Sequence, residues 1–376
     1  MSSVDSLRGA VFAIRLPLLC LPHGEQLRIA RALCAAAVCY AGMGLRRPAR
    51  RMIEAASRAA ESHGSPLARF YADLGQLSVE FLVDNDWRAT VSRCEQLVGL
   101  WQDAGRGRGW EIDTVEQFAG FAELWLGRFR AVRGRVDALV DRAADAGNRF
   151  HEVGLRAYFG VLDTLLGDPD ACDREVGVAL ARSNENRSNV HQAYWALRSR
   201  TYAAIYRGDV GRSADDLDPA WRRLHGSLLL RVPTVAAEAH AALGALELTR
   251  AVLARDAGSR RDHLAAARRL ARRLRQNPLA AGKMAYENLA AGIAHAAGDD
   301  EESLRVMRAA QTRYEAAGME GQVAATRLLR AKLVGGSDGD RLRAQALEWF
   351  ARERIPDPER TAALLAPGWH PDQARR

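Results

Sequence analysis

The sequence predicts an all-α fold, a solenoid of about seven helix-turn-helix repeats with a period of about 41 residues. Two observations carry the prediction. Short Gly or Asn breaks at Gly44, Asn85, Gly127, Gly167 and Gly208 fall 41, 42, 40 and 41 residues apart, and Gly298 follows 90 residues later, two periods on, with a further break at 256–258. The stretches between breaks are amphipathic, with apolar residues three and four apart, and no window shows the period-two alternation of a half-buried strand. A hydrophobic fraction of 48%, with 32 glycines and 12 prolines in 376 residues, excludes disorder and a collagen-like repeat.

Along the chain, residues 11–21 are apolar, but Arg15 and Pro17 interrupt them and no small-residue cleavage site follows, so they do not read as a secretory leader. Amphipathic helices are expected over 87–105 and 129–147, with a weaker one over 169–183. The Gly-Arg-Gly-Arg-Gly segment at 105–109 reads as a flexible loop. From Leu264 onward, Arg268, Arg269, Arg272, Arg273 and Arg275 share one helical face, opposite Leu264, Ala267, Leu270, Ala271 and Leu274. A solvated solenoid face is the expectation for those arginines.

The repeat is clearest after Gly298. Asp299 is placed to cap a helix carrying Glu302 three residues on, where the positive end of the helix dipole favours acid. Leu304, Met307, Ala310, Gln311, Tyr314 and Ala317 then line one face, and Gly318 can take the left-handed conformation that ends the helix. Residues 335–340 read as a polar break. Residues 366–376, with two prolines, read as a disordered tail, leaving 1–365 as one solenoid.

The net charge is +8, yet Lys283 and Lys332 are the only lysines among 54 basic residues. Such an arginine skew reflects GC-rich coding, so no nucleic-acid partner is expected from the basic pI. Five cysteines without a CxxC pair fit a reducing, cytoplasmic compartment. No stretch of about 18 residues runs uncharged and apolar, so no membrane span is expected.

No catalytic motif is complete in the sequence. Lys283 follows Gly282 but precedes Met284, and Lys332 follows Ala331, so neither completes a phosphate-binding Walker loop. Arg261-Asp262-His263 has the letters of a kinase catalytic loop in the wrong order, and no Asp-Phe-Gly metal site exists. The 105–109 loop has no preceding strand, as a dinucleotide site requires. Cys34 and Cys39, five apart on one helix, point in different directions and read as core residues. The nine histidines form no HExxH pair, and Gly226-Ser227 lacks the earlier glycine of a nucleophile elbow. No catalytic, cofactor-binding or metal-binding residue is therefore assigned, and the chain is not expected to be an enzyme. Most tryptophans are expected to pack within repeats. Tyr194, Trp195 and Tyr202 are the candidates for lining a groove that holds a protein or peptide partner.

A Gly/Ala-containing first helix, a Gly-Asp turn and an alanine-rich second helix, as at 203–209 and 291–299, resemble the tetratricopeptide repeat, at a period longer than the usual length of about 34 residues. Val4-Asp5-Ser6-Leu7-Arg8-Gly9 and Arg28-Ile29-Ala30-Arg31-Ala32-Leu33 resemble the start of the helical-repeat tail of large bacterial serine/threonine kinases of the myxobacterial type, which join a kinase domain, an AAA-type ATPase module and that tail. Ser227-Leu228-Leu229-Leu230-Arg231-Val232 and 361–368 are similar to later parts of the same tail, so the resemblance runs in order from Val4 to Gly368. It implies a regulatory sensor or scaffold whose kinase and nucleotide-binding motifs lie upstream. The alternatives are that the chain is part of an active kinase encoded upstream, or that it is a transcription-regulator tail.

Overall fold

A computed structural model describes residues 6–107, 109–183, 190–211 and 213–372. Among the described residues the protein is all-α, with eighteen α-helices and no strand. They are α1 (Ser6–Cys20), α2 (Gln26–Gly42), α3 (Arg46–His63), α4 (Pro66–Val79), α5 (Trp87–Asp103), α6 (Trp110–Leu126), α7 (Phe129–Asp145), α8 (Arg149–Leu165) and α9 (Pro169–Ser183). Then come α10 (Val190–Arg207), α11 (Ala214–His225), α12 (Pro233–Leu253), α13 (Ala257–Arg275), α14 (Ala280–Ala296), α15 (Asp300–Ala317), α16 (Glu320–Val334), α17 (Gly336–Arg352) and α18 (Pro358–Leu365).

From α2 to α17 these form successive helical hairpins. The turns at Gly44, Asn85, Gly127, Gly167, Gly208 and Gly298 all take the left-handed backbone, which reverses the chain in two or three residues. An acceptor side chain commonly caps the next helix: Asp86, Asp168, Asp256 and Asp299 each accept from the amide three residues on. The polar break expected over 335–340 is shorter than that. Gly335 and Gly336 both have positive φ, so one residue suffices to turn α16 into α17, and 336–340 already belong to α17. This adds a hairpin to those read from the turn spacing.

Burial separates two layers. On α8, 13 of 17 residues are buried, whereas its hairpin partner α9 buries only Cys172, Val176 and Ala179. The even-numbered helices α8, α10 and α12 are thus enclosed on nearly all sides, while the odd-numbered α9, α11 and α13 bury a single stripe. Alanine and glycine on the inner helices allow this close approach. A Cβ on Gly244 of α12 would stand 2.5 Å from Leu289 of α14.

The sequence treats 1–365 as one array, but the helices gather into two compact units, Met1–Glu123 with Arg231–Thr234, and Leu124–Leu230 with Val235–Arg376. In the first unit, Phe70 packs on Trp101 with ring centroids 4.7 Å apart, among Leu74, Leu97 and Val115. In the second unit, the first and last hairpins touch. A Cβ on Gly127 would lie 2.5 Å from the amide nitrogen of Gly321, Phe129 meets Trp349 edge to face at 5.4 Å, and the Arg130 amide donates to Glu353 at 2.9 Å.

The C-terminal segment runs inside the second unit, against the inner helices. Arg360 donates to the Tyr206 carbonyl at 2.7 Å, Thr361 to the Leu165 carbonyl at 3.1 Å, and His370 Nε2 to the Ile205 carbonyl at 3.0 Å. These carbonyls belong to the last turns of α8 and α10, where no intrahelical donor remains. Asn288 of α14 donates to the Leu365 carbonyl, and His295 stacks on Trp369 with centroids 4.6 Å apart and planes 14° apart. The disorder expected from Ala366 onward is therefore corrected for the described part, because Ala366, Trp369 and His370 are buried. Residues 373–376 lie outside the described residues.

Candidate functional site

Three inner helices of the second unit place Tyr158 on α8, Arg198 on α10 and Glu238 on α12, each 40 residues from the next. Successive inner helices lie side by side, so this spacing sets equivalent positions next to one another. Arg198 lies 2.8 Å from the Glu238 carboxylate, donates to the Tyr158 carbonyl at 2.9 Å, and sits 4.1 Å from the centroid of the Tyr158 ring. The hydroxyls of Tyr158 and Tyr194 donate to the two oxygens of Glu238 at 3.4 and 3.3 Å. Both charged side chains are nearly withdrawn from solvent, at 7% and 9% exposure.

Electrostatics follow from that enclosure. Burial works against the Arg198 charge, but Glu238 and the tyrosines more than restore it, so its pKa stays above the ordinary arginine value. Burial first, and the Glu238 charge second, push the Tyr158 and Tyr194 hydroxyls well above the usual phenol range. Both are therefore fixed donors. The first unit repeats this arrangement at the same period: Arg31, Tyr71 and Glu111 stand 40 residues apart, with the Tyr71 hydroxyl 3.0 Å from Glu111 and Arg31 3.6 Å from it. There the arginine is half exposed.

Beside the buried cluster of the second unit lies a cavity of about 140 Å³. Arg198 and Tyr202 form part of its wall, with Met284 and Leu289 of α14, Tyr314 of α15 and Leu365 of α18. Arg198 Nε and the Gln322 side-chain oxygen, both from residues of that wall, are buried without a hydrogen-bond partner.

The structure treats the three aromatic candidates differently. Tyr194 is buried and holds Glu238, and Tyr202 lines the cavity. Trp195, on another side of α10, packs edge to face on Tyr158 at 5.5 Å within the apolar cluster around Val176 and Ala196. Reading the aromatics singly missed Tyr158, Arg198 and Glu238. The signal that finds them is the repeat itself, since aligning the chain at a 40-residue period stacks all three in one column.

Two surfaces also stand out. In the first unit, α1 and the turn after it expose Val11, Phe12, Leu16, Leu18, Leu19 and Leu21, with Phe12, Leu18 and Leu19 at 63%, 69% and 66%. In the second unit, all five arginines of the α13 face are exposed, and so are Arg222 and Arg223 of α11. None of these seven has a carboxylate partner among the described residues. The thiols offer little chemistry: burial pushes Cys34 and Cys172 up to about 12, and both face backbone carbonyls or core. No group of three His, Cys, Asp or Glu side chains among the described residues is arranged to hold a metal ion. No helix among the described residues is long and apolar enough to cross a membrane.

No protein-family model matches the chain, and no curated protein is similar enough to count as a relative.

Proposed function

We propose that this chain is a non-catalytic protein-interaction and regulatory module, the cytoplasmic sensor or scaffold portion of a bacterial serine/threonine kinase and ATPase signalling protein. The observation that carries the interaction reading is the apolar face of α1. Six of the fourteen exposed large apolar side chains of the described residues fall within 11–21. Soluble proteins seldom leave such a run uncovered unless another surface meets it. The helical-repeat architecture supports the same reading, because stacked hairpins present extended surfaces to partners. The kinase context rests on the resemblance that runs from Val4 to Gly368.

The experiment reads the DNA around the gene for a kinase and ATPase and pairs the chain with that protein; a neighbourhood without one would overturn the kinase context. Purified chain should bind that protein and change its phosphorylation rate on a generic substrate. Phe12→Asp, Leu18→Asp and Leu19→Asp together should abolish both effects while far-UV circular dichroism is unchanged. A purified chain that itself phosphorylates a substrate or hydrolyses ATP would overturn the proposal, as would a triple variant that regulates normally.

A further inference from the structure

We infer that the arginine face of α13 is a docking surface for an acidic amphipathic helix of a partner protein. Leu264, Ala267, Leu270, Ala271 and Leu274 bury one stripe of α13, which fixes the side its arginines present. Arg268, Arg272 and Arg275 stand at i, i+4 and i+7, one column along the exposed side, and Arg269 and Arg273 form a second column beside it. The first column runs about 10 Å, two turns of about 5.4 Å each. A partner helix with Asp or Glu at the same spacing has the same pitch. Laid alongside α13, it sets a carboxylate opposite each guanidinium, whose planar fork can donate two hydrogen bonds to it.

The chain does not supply that negative charge locally. Between Asp262 and Glu287 there is no acidic residue, and the five arginines share the stretch with Lys283. None of the five has a carboxylate partner among the described residues. Other helices balance theirs. Arg305 of α15 lies 2.6 Å from Glu302, Arg313 lies 2.9 Å from Glu287 of α14, and α3 carries Glu54 and Glu61 among its arginines. Like charges four residues apart destabilise a helix, and Arg268 with Arg272, and Arg269 with Arg273, are two such pairs. The negative end of the helix dipole favours cations in the last turn, which accounts for Arg272, Arg273 and Arg275 but leaves Arg268 and Arg269 outside its reach.

The surface extends onto α11. His225 at its end lies 6.4 Å, ring to ring, from His240 of α12, and Arg273 of α13 is near enough to His240 to help lower its pKa. The C-terminal ends of α11 and α13 therefore flank the same residue of α12. Arg222 and Arg223, exposed and without carboxylate partners among the described residues, add two charges at that end. Arginine also binds phosphate, but α13 carries no Phe, Tyr or Trp on which bases could stack, whereas its columns match the pitch of an acidic helix. The inference does not rest on the α1 reading, because α1 belongs to the first unit and α11 and α13 to the second.

The test uses the full chain and fluorescence anisotropy with three labelled probes. They are an alanine-rich helical peptide with glutamate at i, i+4, i+7 and i+11, an isomer with the same glutamates spread around the helix, and a duplex DNA of similar charge. The first peptide should bind saturably, more weakly as salt rises, and at least about fivefold more tightly than its isomer. Arg268→Gln, Arg272→Gln and Arg275→Gln together should weaken it at least about tenfold, with circular dichroism unchanged because all three side chains are exposed. Arg47→Gln, Arg51→Gln and Arg58→Gln on α3 remove the same charge and should leave binding within about twofold. The Phe12→Asp, Leu18→Asp and Leu19→Asp protein should bind as the parent does, which separates this surface from the α1 face. An equal loss from the α3 variant, or no loss from the α13 variant, would overturn the inference. So would an isomer that binds as tightly, or duplex DNA held more tightly than the peptide through the same arginines, which would make the face a nucleic-acid surface.

Discussion

Arg198 and Glu238 form an ion pair 2.8 Å long that is almost fully withdrawn from water and joins two neighbouring inner helices. Taking two charges out of water costs several kcal/mol, so the pair persists only because nearly every lone pair and proton has a partner. Removing one member leaves the other charge stranded. Glu238→Ala should therefore destabilise the second unit by about 3–5 kcal/mol, read as a shift in urea midpoint. The double variant Arg198→Met with Glu238→Leu should recover a large part of that loss. A double variant as unstable as the single would show that the pair contributes net attraction beyond self-compensation.

His240 gives a pH signature. Burial, then the nearby Arg273 and His225, hold its pKa down at about 4 against an ordinary value of 6.5. Its folded pKa is depressed, so protons bind the unfolded chain better between those values, and stability falls as pH drops from about 6.5 to about 4. His240→Leu should lose less stability over that window than the parent chain, by about 2 kcal/mol. Equal slopes for the two proteins would refute the assignment.

Asp163 titrates in the same window with the opposite sign. Burial raises its carboxyl to about 6, against the pull of Arg133, and one of its oxygens has no hydrogen-bond partner. A raised folded pKa contributes stability that is complete below the unfolded value of 3.8 and is lost as pH climbs through about 6. Relative to Asp163→Asn, the parent chain should thus lose about 2 kcal/mol between pH 4 and pH 6 and nothing further above pH 7. The two residues partly cancel in the parent protein, and the single variants separate them.

Gly292 tests the docking of the C-terminal segment. A Cβ at that position would lie 1.9 Å from the Pro367 carbonyl oxygen, inside contact distance, on a backbone that cannot easily retreat. Gly292→Ala should push the segment off α14, costing about 1–3 kcal/mol through overpacking. The indole of Trp369 should then gain solvent exposure and lose its stacking on His295. Proteolysis near Ala366 should accelerate in the variant. Unchanged cleavage would mean that the segment shifts without undocking.

Much of the repeat was legible because local chemistry writes it. Asp299 caps its helix through the Glu302 amide, Met307, Ala310 and Tyr314 point inward, and Gly318 ends the helix with φ at 75°, all as spacing alone suggests. The turn at Gly335 was not legible as a hairpin, since a run of glycine, serine and aspartate also describes a loop. The cavity site was less legible still. Tyr202 was singled out for its aromatic ring, whereas Arg198 and Glu238, single charges on two different helices, match no local motif.

The sequence by itself determined the fold class, the hairpin period, the helix caps and the inward stripe of each outer helix, because these depend on residues within a few positions of one another. Tertiary structure alone decided that the ends of the second unit meet at Gly127 and Gly321. It also decided that the segment from Pro358 to Asp372 fills the interior instead of trailing in solvent. That segment has too few apolar residues to order itself. Its donors become satisfied only when the helix ends at Leu165, Ile205 and Tyr206, far away in the chain, converge on it.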